Sequence, residues 1–215
     1  MSELTLSQNV VRKSFAYTHA LLWVLTAAWF AIVLVLGSNG FFVARPGTPP
    51  LALLTAATVP VALFLLSLWL SPSIRELALT ADLKFATAVQ SWRIGGYSFL
   101  ILSAYGYLPG YFAWPAGVGD MFIGVTAPFV LQKMRNQGFT KSKTFVAWNV
   151  FGILDLIVAV GLGALGSLLM GNPAQVSPTT IMSQMPLALI PTFFVPVFIV
   201  LHLVALMQAR RSPIR

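Results

Sequence analysis

Residues 112–132, FAWPAGVGDMFIGVTAPFVLQ, form a run of 21 residues in which Asp120 is the one ionisable group. No lysine or arginine lies within ten residues of it on either side. About 20 apolar residues in an α-helix cover the ~30 Å hydrocarbon core of a bilayer. Such a segment reads as a membrane span with a carboxyl group inside it. A charged side chain at mid-bilayer costs about 2.5–3.5 kcal/mol on insertion scales. Asp120 is therefore expected to face other protein, and the chain must supply further helices to receive it.

Five further apolar segments of similar length flank this one, at 15–36, 50–70, 84–106, 145–170 and 186–208. The bilayer demands that backbone polar groups be satisfied within the segment, so spans of this length are helices, not strands. The prediction is an all-α polytopic membrane protein: a bundle of six transmembrane helices forming one integral membrane domain over residues 1–215. Composition agrees. The chain is 58% hydrophobic and 8% charged, against roughly 25% charged residues in soluble domains. Its mean hydropathy is +0.85. There is no cysteine, which excludes disulfides, thiolate metal sites and cysteine nucleophiles. The first apolar run, Phe15 to Leu36, has 22 residues. Signal-peptide cores are shorter, about 7–15 residues, so it is read as a retained helix.

The net charge of +8 follows from topology. With the N-terminus in the cytoplasm, the inner segments hold Arg12, Lys13, Arg75, Lys84, Lys133, Arg135, Lys141, Lys143, Arg210, Arg211 and Arg215. The outer segments hold Arg45, and Arg93 lies within a span. That bias is the positive-inside pattern and predicts both termini in the cytoplasm, at the inner membrane of a bacterium. Basic residues spread over four segments do not form a nucleic-acid patch.

Two connecting regions and the prolines within spans are informative. SPSIRELALTADLK (71–84) suits a short surface helix capped by Ser71 or Ser73, with Glu76 in its first turn. YGYLPGYFAWP (105–115) is a short aromatic-rich connection, read first as an interfacial belt and second as a lid over a pocket. Prolines within spans, at 60, 128, 191 and 196, remove backbone donors, and the pair in IPTFFVPVF (190–198) predicts a bend.

Four ionisable residues lie well inside spans: Arg93, Asp120, Asp155 and His202. Gln90 and Asn149 add neutral polarity. At 1.5 Å per residue, they lie about 13, 18, 15 and 9 Å respectively from the cytoplasmic ends of four successive spans, in one layer. Ala116, Asp120, Gly124 and Ala127 share one helix face. So do Gly152, Asp155, Ala159, Gly163 and Gly166. Small-residue faces mark close helix packing in membranes. Ala86, Gln90, Arg93 and Tyr97 are read as the polar face of the third span. One guanidinium neutralises one carboxylate, which leaves the second to be protonated, hydrated or paired with His202. This is the composition of a proton relay, and also of a structural pin between helices. For His202 a hydrogen bond to a backbone carbonyl is the simpler expectation. His19, near the start of the first span, is given little functional weight.

Other chemistries lack their motifs. There is no Walker sequence. GLGALGSLLMG (161–171) lacks the G-x-S-x-G of a nucleophile elbow, and its glycines are read as packing. No helix carries paired histidines for several haems, no close-spaced ligand set specifies a metal, and no lysine inside a span offers a Schiff base. No cofactor is specified. WPAGVGD (114–120) and WNVFGILD (148–155) each lead from Trp through Gly to a buried Asp, a short inverted similarity of the kind transporters display. The leading expectation is a small carrier of a small solute, coupled to or gated by protonation of the Asp/Arg cluster. The alternatives are an intramembrane enzyme acting on a lipid or quinone-like substrate, or a non-catalytic assembly subunit. Expected partners are the bilayer and a small solute or lipid. The sequence is compatible with a homo-oligomer and argues against nucleic acid.

Overall fold

The computed structural model describes the backbone of residues 2–44, 48–169 and 178–211, and the side chains of residues 20–44, 48–168 and 180–211. The side chains of Arg12, Lys13, His19, Arg45 and Arg215 lie outside the described residues.

The described chain is helical, with no strand among the described residues. Five helices are long and apolar enough to cross a membrane. They are the Ala20–Ser38 part of α1 (Ser2–Ser38), α2 (Leu51–Leu70), α6 (Gly110–Lys133), α7 (Lys143–Leu169) and the segment Ile190–Arg210. Between α2 and α6 stand α3 (Pro72–Thr80), α4 (Leu83–Val89), a 3-10 segment (Gln90–Gly96) and α5 (Tyr97–Ala104). The short α8 (Pro178–Met182) follows α7. The last long segment opens with a π turn (Ile190–Phe194) and continues as α9 (Val195–Arg210). Large apolar side chains cover the outer surface, among them Trp23, Ile32, Leu63, Trp69, Phe129 and Ile157. That surface suits lipid and not water.

The segment expected as one helix over 84–106 is thus three contiguous pieces. Gly95 and Gly96 weaken the α-helix there, and the chain tightens to three residues per turn. A 3-10 helix brings i, i+3 and i+6 into line. Gln90, Arg93 and Gly96 accordingly share the buried side, followed by Phe99. Tyr97, expected on the polar face at an α-helical spacing, is instead 52% exposed. In the last span, where the two prolines predict a bend, the backbone departs from the α-helix as a π turn that contains Pro191 and ends two residues before Pro196. Pro60 and Pro128 lie within helices that continue through them.

Local capping follows sequence chemistry. Ser71 caps α3, its side chain accepting from Ile74 N at 3.4 Å, and Asp82 caps α4 by accepting from Lys84 N and Phe85 N. Arg75 donates twice to Leu68 O at the end of α2. Gln208 of α9 donates to Ala78 O and Ala81 O, fastening α3 to the last helix. Gly138 takes the left-handed conformation (φ +80°) in the turn before α7.

Two clusters define the ends of the bundle. Phe99, Leu108, Phe112, Ala116 and Met182 pack together at the aromatic end. Ile123, Ala127, Phe145, Trp148 and Ala205 pack together at the end that bears Lys133, Lys143 and Arg210. Arg93 lies between them.

Candidate functional site

The residues singled out in the four successive segments converge on one guanidinium. Arg93 comes from the 3-10 segment, Asp120 from α6, Asp155 from α7 and His202 from α9. Arg93 Nε donates to Asp120 Oδ1 at 2.6 Å, and Nη2 donates to Asp155 Oδ2 at 2.5 Å. Nη1 donates to Gly152 O at 3.1 Å and lies 3.2 Å from His202 Nε2. Four of the five N–H groups are thereby directed at acceptors. The Phe198 ring stands 5.9 Å from Cζ, within cation–π range.

The expected pairing of the arginine with a single carboxylate is therefore replaced by a bridge across both. His202 also departs from expectation: it bonds to neither a carboxylate nor a backbone carbonyl. Asn149 Nδ2 donates to Phe145 O at 2.9 Å, which turns Oδ1 toward His202 Nδ1 at 2.9 Å. The proton of the imidazole therefore sits on Nδ1, and Nε2 is the acceptor for Arg93 Nη1. That bonding pattern belongs to a neutral imidazole. Trp148 braces the ring edge-on at 5.4 Å and is itself held by a 2.8 Å bond from Nε1 to Thr126 Oγ1.

The charges follow. With both carboxylates ionised, one guanidinium faces two carboxylates, and the histidine adds nothing. One negative charge is in excess. The Arg93 side chain is wholly buried, whereas Asp120 and Asp155 keep 14% and 7% of their side-chain surface. Asp120 also forms the floor of a cavity of about 40 Å³ that extends toward the aromatic end. Phe99, Phe112, Leu156, Val160 and Met182 are among its walls, and Asp120 is the one ionisable residue lining it. Asp155 does not line it. The two aspartates are therefore not equivalent, a distinction invisible in the sequence.

Glycines make this convergence possible. A Cβ at Gly119 would overlap the Asp155 carboxylate, and one at Gly152 would overlap the His202 ring. At Gly96 it would strike Asp120 Cβ, and at Gly124 the backbone of Arg93 and Ile94. Gly124 and Gly152 stood on the small-residue faces read from the sequence. Gly96, Gly119 and Phe198 did not, because their roles depend on which helix lies opposite.

Gln90 is buried beside the cluster without joining it. Its Nε2 donates to Phe198 O at 3.3 Å, and its Oε1 lacks a partner among the described residues. In the aromatic connection 105–115, Tyr105, Tyr107, Tyr111 and Trp114 are exposed. Phe112 alone among those aromatics turns inward, to the cavity wall. The two Trp-to-Asp stretches do not form matching environments: Trp114 is exposed and Trp148 is buried. Among the described residues there is no group of three or more His, Asp or Glu side chains arranged to hold a metal ion.

Residues 50–210 match the model of a family described as Domain of unknown function (DUF8737). The match takes in every residue of the cluster and the cavity and leaves α1 outside. No curated protein and no solved structure matches the chain.

Proposed function

This chain belongs to the DUF8737 family, and we propose that it is a carrier of a small solute, coupled to protonation of the Arg93/Asp120/Asp155 cluster. The observation that carries the reading is the single guanidinium shared by two carboxylates, one of which, Asp120, forms the floor of a cavity. An uncompensated charge out of water costs several kcal/mol. The cluster sheds that cost by taking up a proton, and regains a negative charge by releasing it. A solute in the cavity touches the carboxylate that changes state. The π turn contributes Ile190 and Pro191 to the cavity wall, and its irregular backbone is the natural place for the wall to move.

The topology that goes with this reading has six crossings, with both termini in the cytoplasm of a bacterial cell and the chain in its inner membrane. The contiguous segments from Leu83 to Ala104 rise roughly 36 Å at 1.5 and 2.0 Å per residue for their α and 3-10 parts. That exceeds the ~30 Å of hydrocarbon, so the broken segment serves as the remaining span. The described basic residues at helix ends gather at the end opposite the aromatic connection, as the positive-inside rule asks. A cavity of about 40 Å³ is small for a lipid or a quinone ring, which favours carriage over lipid enzymology.

Proton flux into liposomes containing the purified protein, read with an internal pH dye under an imposed potential, tests the proposal. Wild type is expected to conduct protons in the presence of its solute from a panel. Asp120→Asn and Asp155→Asn are each expected to lower the flux at least ten-fold. Folded wild-type protein with no flux across the panel, or unchanged flux in both variants, contradicts the proposal.

A further inference from the structure

We infer that the cavity above Asp120 binds a small alkylammonium ion, of about the size of trimethylammonium, in exchange for a proton. This names the substrate class of the carrier proposed above and rests on that reading. Three features of the cavity converge. Its one ionisable lining group is a carboxylate, already in excess over the single guanidinium. Oδ1 of Asp120 is committed to Arg93 Nε, and its other oxygen has no partner among the described residues. An anion entering here would meet that excess negative charge, and Arg93 is screened from it behind its two carboxylates. The site therefore selects cations.

The walls select the kind of cation. Apart from Asp120, every lining residue is apolar or glycine, so a strongly hydrated metal ion would lose its water without replacement ligands. An alkylammonium ion loses far less, because its methyl groups meet Leu156, Val160 and Met182. Phe99 and Phe112, whose rings lie 5.9 Å apart, both line the cavity, and aromatic rings attract quaternary and alkylated ammonium groups. Size closes the argument. A volume of about 40 Å³ corresponds to about three water-sized spheres, which favours a compact ion over one with butyl chains.

The exchange balances in charge and atoms. The protonated carboxyl releases H⁺, and the carboxylate left behind accepts the N–H of the ammonium ion. Each cation bound displaces one proton, and the cluster keeps the same net charge in both states.

The test is calorimetric titration of the detergent-solubilised full chain with trimethylammonium chloride in two buffers of different ionisation enthalpy. Wild type is expected to bind one cation per chain and release about one proton. Isopropanol, a neutral molecule of similar size, and tetrabutylammonium are expected not to bind. Asp120→Asn is expected to weaken binding at least ten-fold. Val160→Phe, which fills the cavity without touching the ion pairs, is expected to do the same. Equal binding of isopropanol, or undiminished binding in both variants, overturns the inference. So does a wild-type protein that conducts protons in liposomes but gives no heat with trimethylammonium, and in that case the carrier reading stands. Folded protein that shows neither flux nor binding removes both.

Discussion

Toward the basic end, Ile123, Ala127 and Phe145 are fully buried and Trp148 closes on His202. Toward the aromatic end, α6 and α7 take part with other elements in walls around a cavity of about 40 Å³. The same two helices thus carry fully buried side chains on one side of Arg93, and on the other they border a cavity together with neighbouring elements. Residue size explains part of the contrast. Gly119, Gly124 and Gly152 bring the segments together at the level of the cluster, and large side chains fill the space below it. Above it, Ala159, Gly163 and Ala164 leave room that the rings of Phe99 and Phe112 do not fill. The lesson is that the cluster is reached from one side. Asp120 faces the open half, while His202 and Asn149 hold Arg93 from the closed half.

The largest expected effect comes from removing the guanidinium on which both halves depend. Arg93→Met leaves two carboxylates facing each other out of water, and is expected to lower stability by about 3–5 kcal/mol. Thermal unfolding in detergent measures this. Partial recovery in an Arg93→Met, Asp155→Asn double variant would show that surplus charge is the cause.

Next come the close approaches at cluster level. Gly152→Ala and Gly119→Ala are each expected to cost about 1–3 kcal/mol through overpacking against His202 and Asp155. Gly161→Ala, where a Cβ meets nothing within 4 Å, serves as the control and should leave the unfolding midpoint in place or raise it slightly, as Ala in a helix interior does.

The contrast between the halves is sharpened by one substitution placed in each. Ala127→Leu, in the closed half, is expected to cost about 1–3 kcal/mol. Ala164→Leu, on the cavity wall, is expected to be neutral or to stabilise by about 0.5–2 kcal/mol, as cavity filling does, while lowering proton flux. Equal destabilisation at both positions would break the comparison. The smallest loss of stability is expected from Trp148→Phe, which removes the bond to Thr126 and keeps most of the ring contact with His202. A cost of about 1 kcal/mol follows from one hydrogen bond.

Much of this arrangement was legible beforehand. The apolar runs and their charge bias mark the chain as a membrane helix bundle, because bilayer thickness and backbone satisfaction act on residue composition alone. Asp120 and Asp155 could be turned inward from the alanine and glycine positions that share their faces. What stayed hidden depends on the identity of the opposing helix. The 3-10 segment at Gln90–Gly96 shifted the helical phase and carried Tyr97 outward; Gly95 and Gly96 permit it, but its close fit against α6 at Gly96 and Gly124 could not be read from one segment. His202 could not be matched with Asn149 and Arg93 from spacing, since those contacts join residues 53 and 109 positions apart. The inequality of the two aspartates arises from a cavity, and a cavity is an absence of side chains that no single segment records.

The most direct test of the central claim is infrared difference spectroscopy of the reconstituted protein during a pH titration. The chain has only five Asp and Glu residues, so the carbonyl stretch of a protonated carboxyl is readily assigned. The account predicts one such band that rises and falls with pH in wild type and is abolished in Asp120→Asn, while Glu76→Gln and Asp82→Asn leave it in place. A wild-type spectrum in which no band from Asp120 or Asp155 responds to pH would contradict it, and would make the shared guanidinium a fixed structural pin.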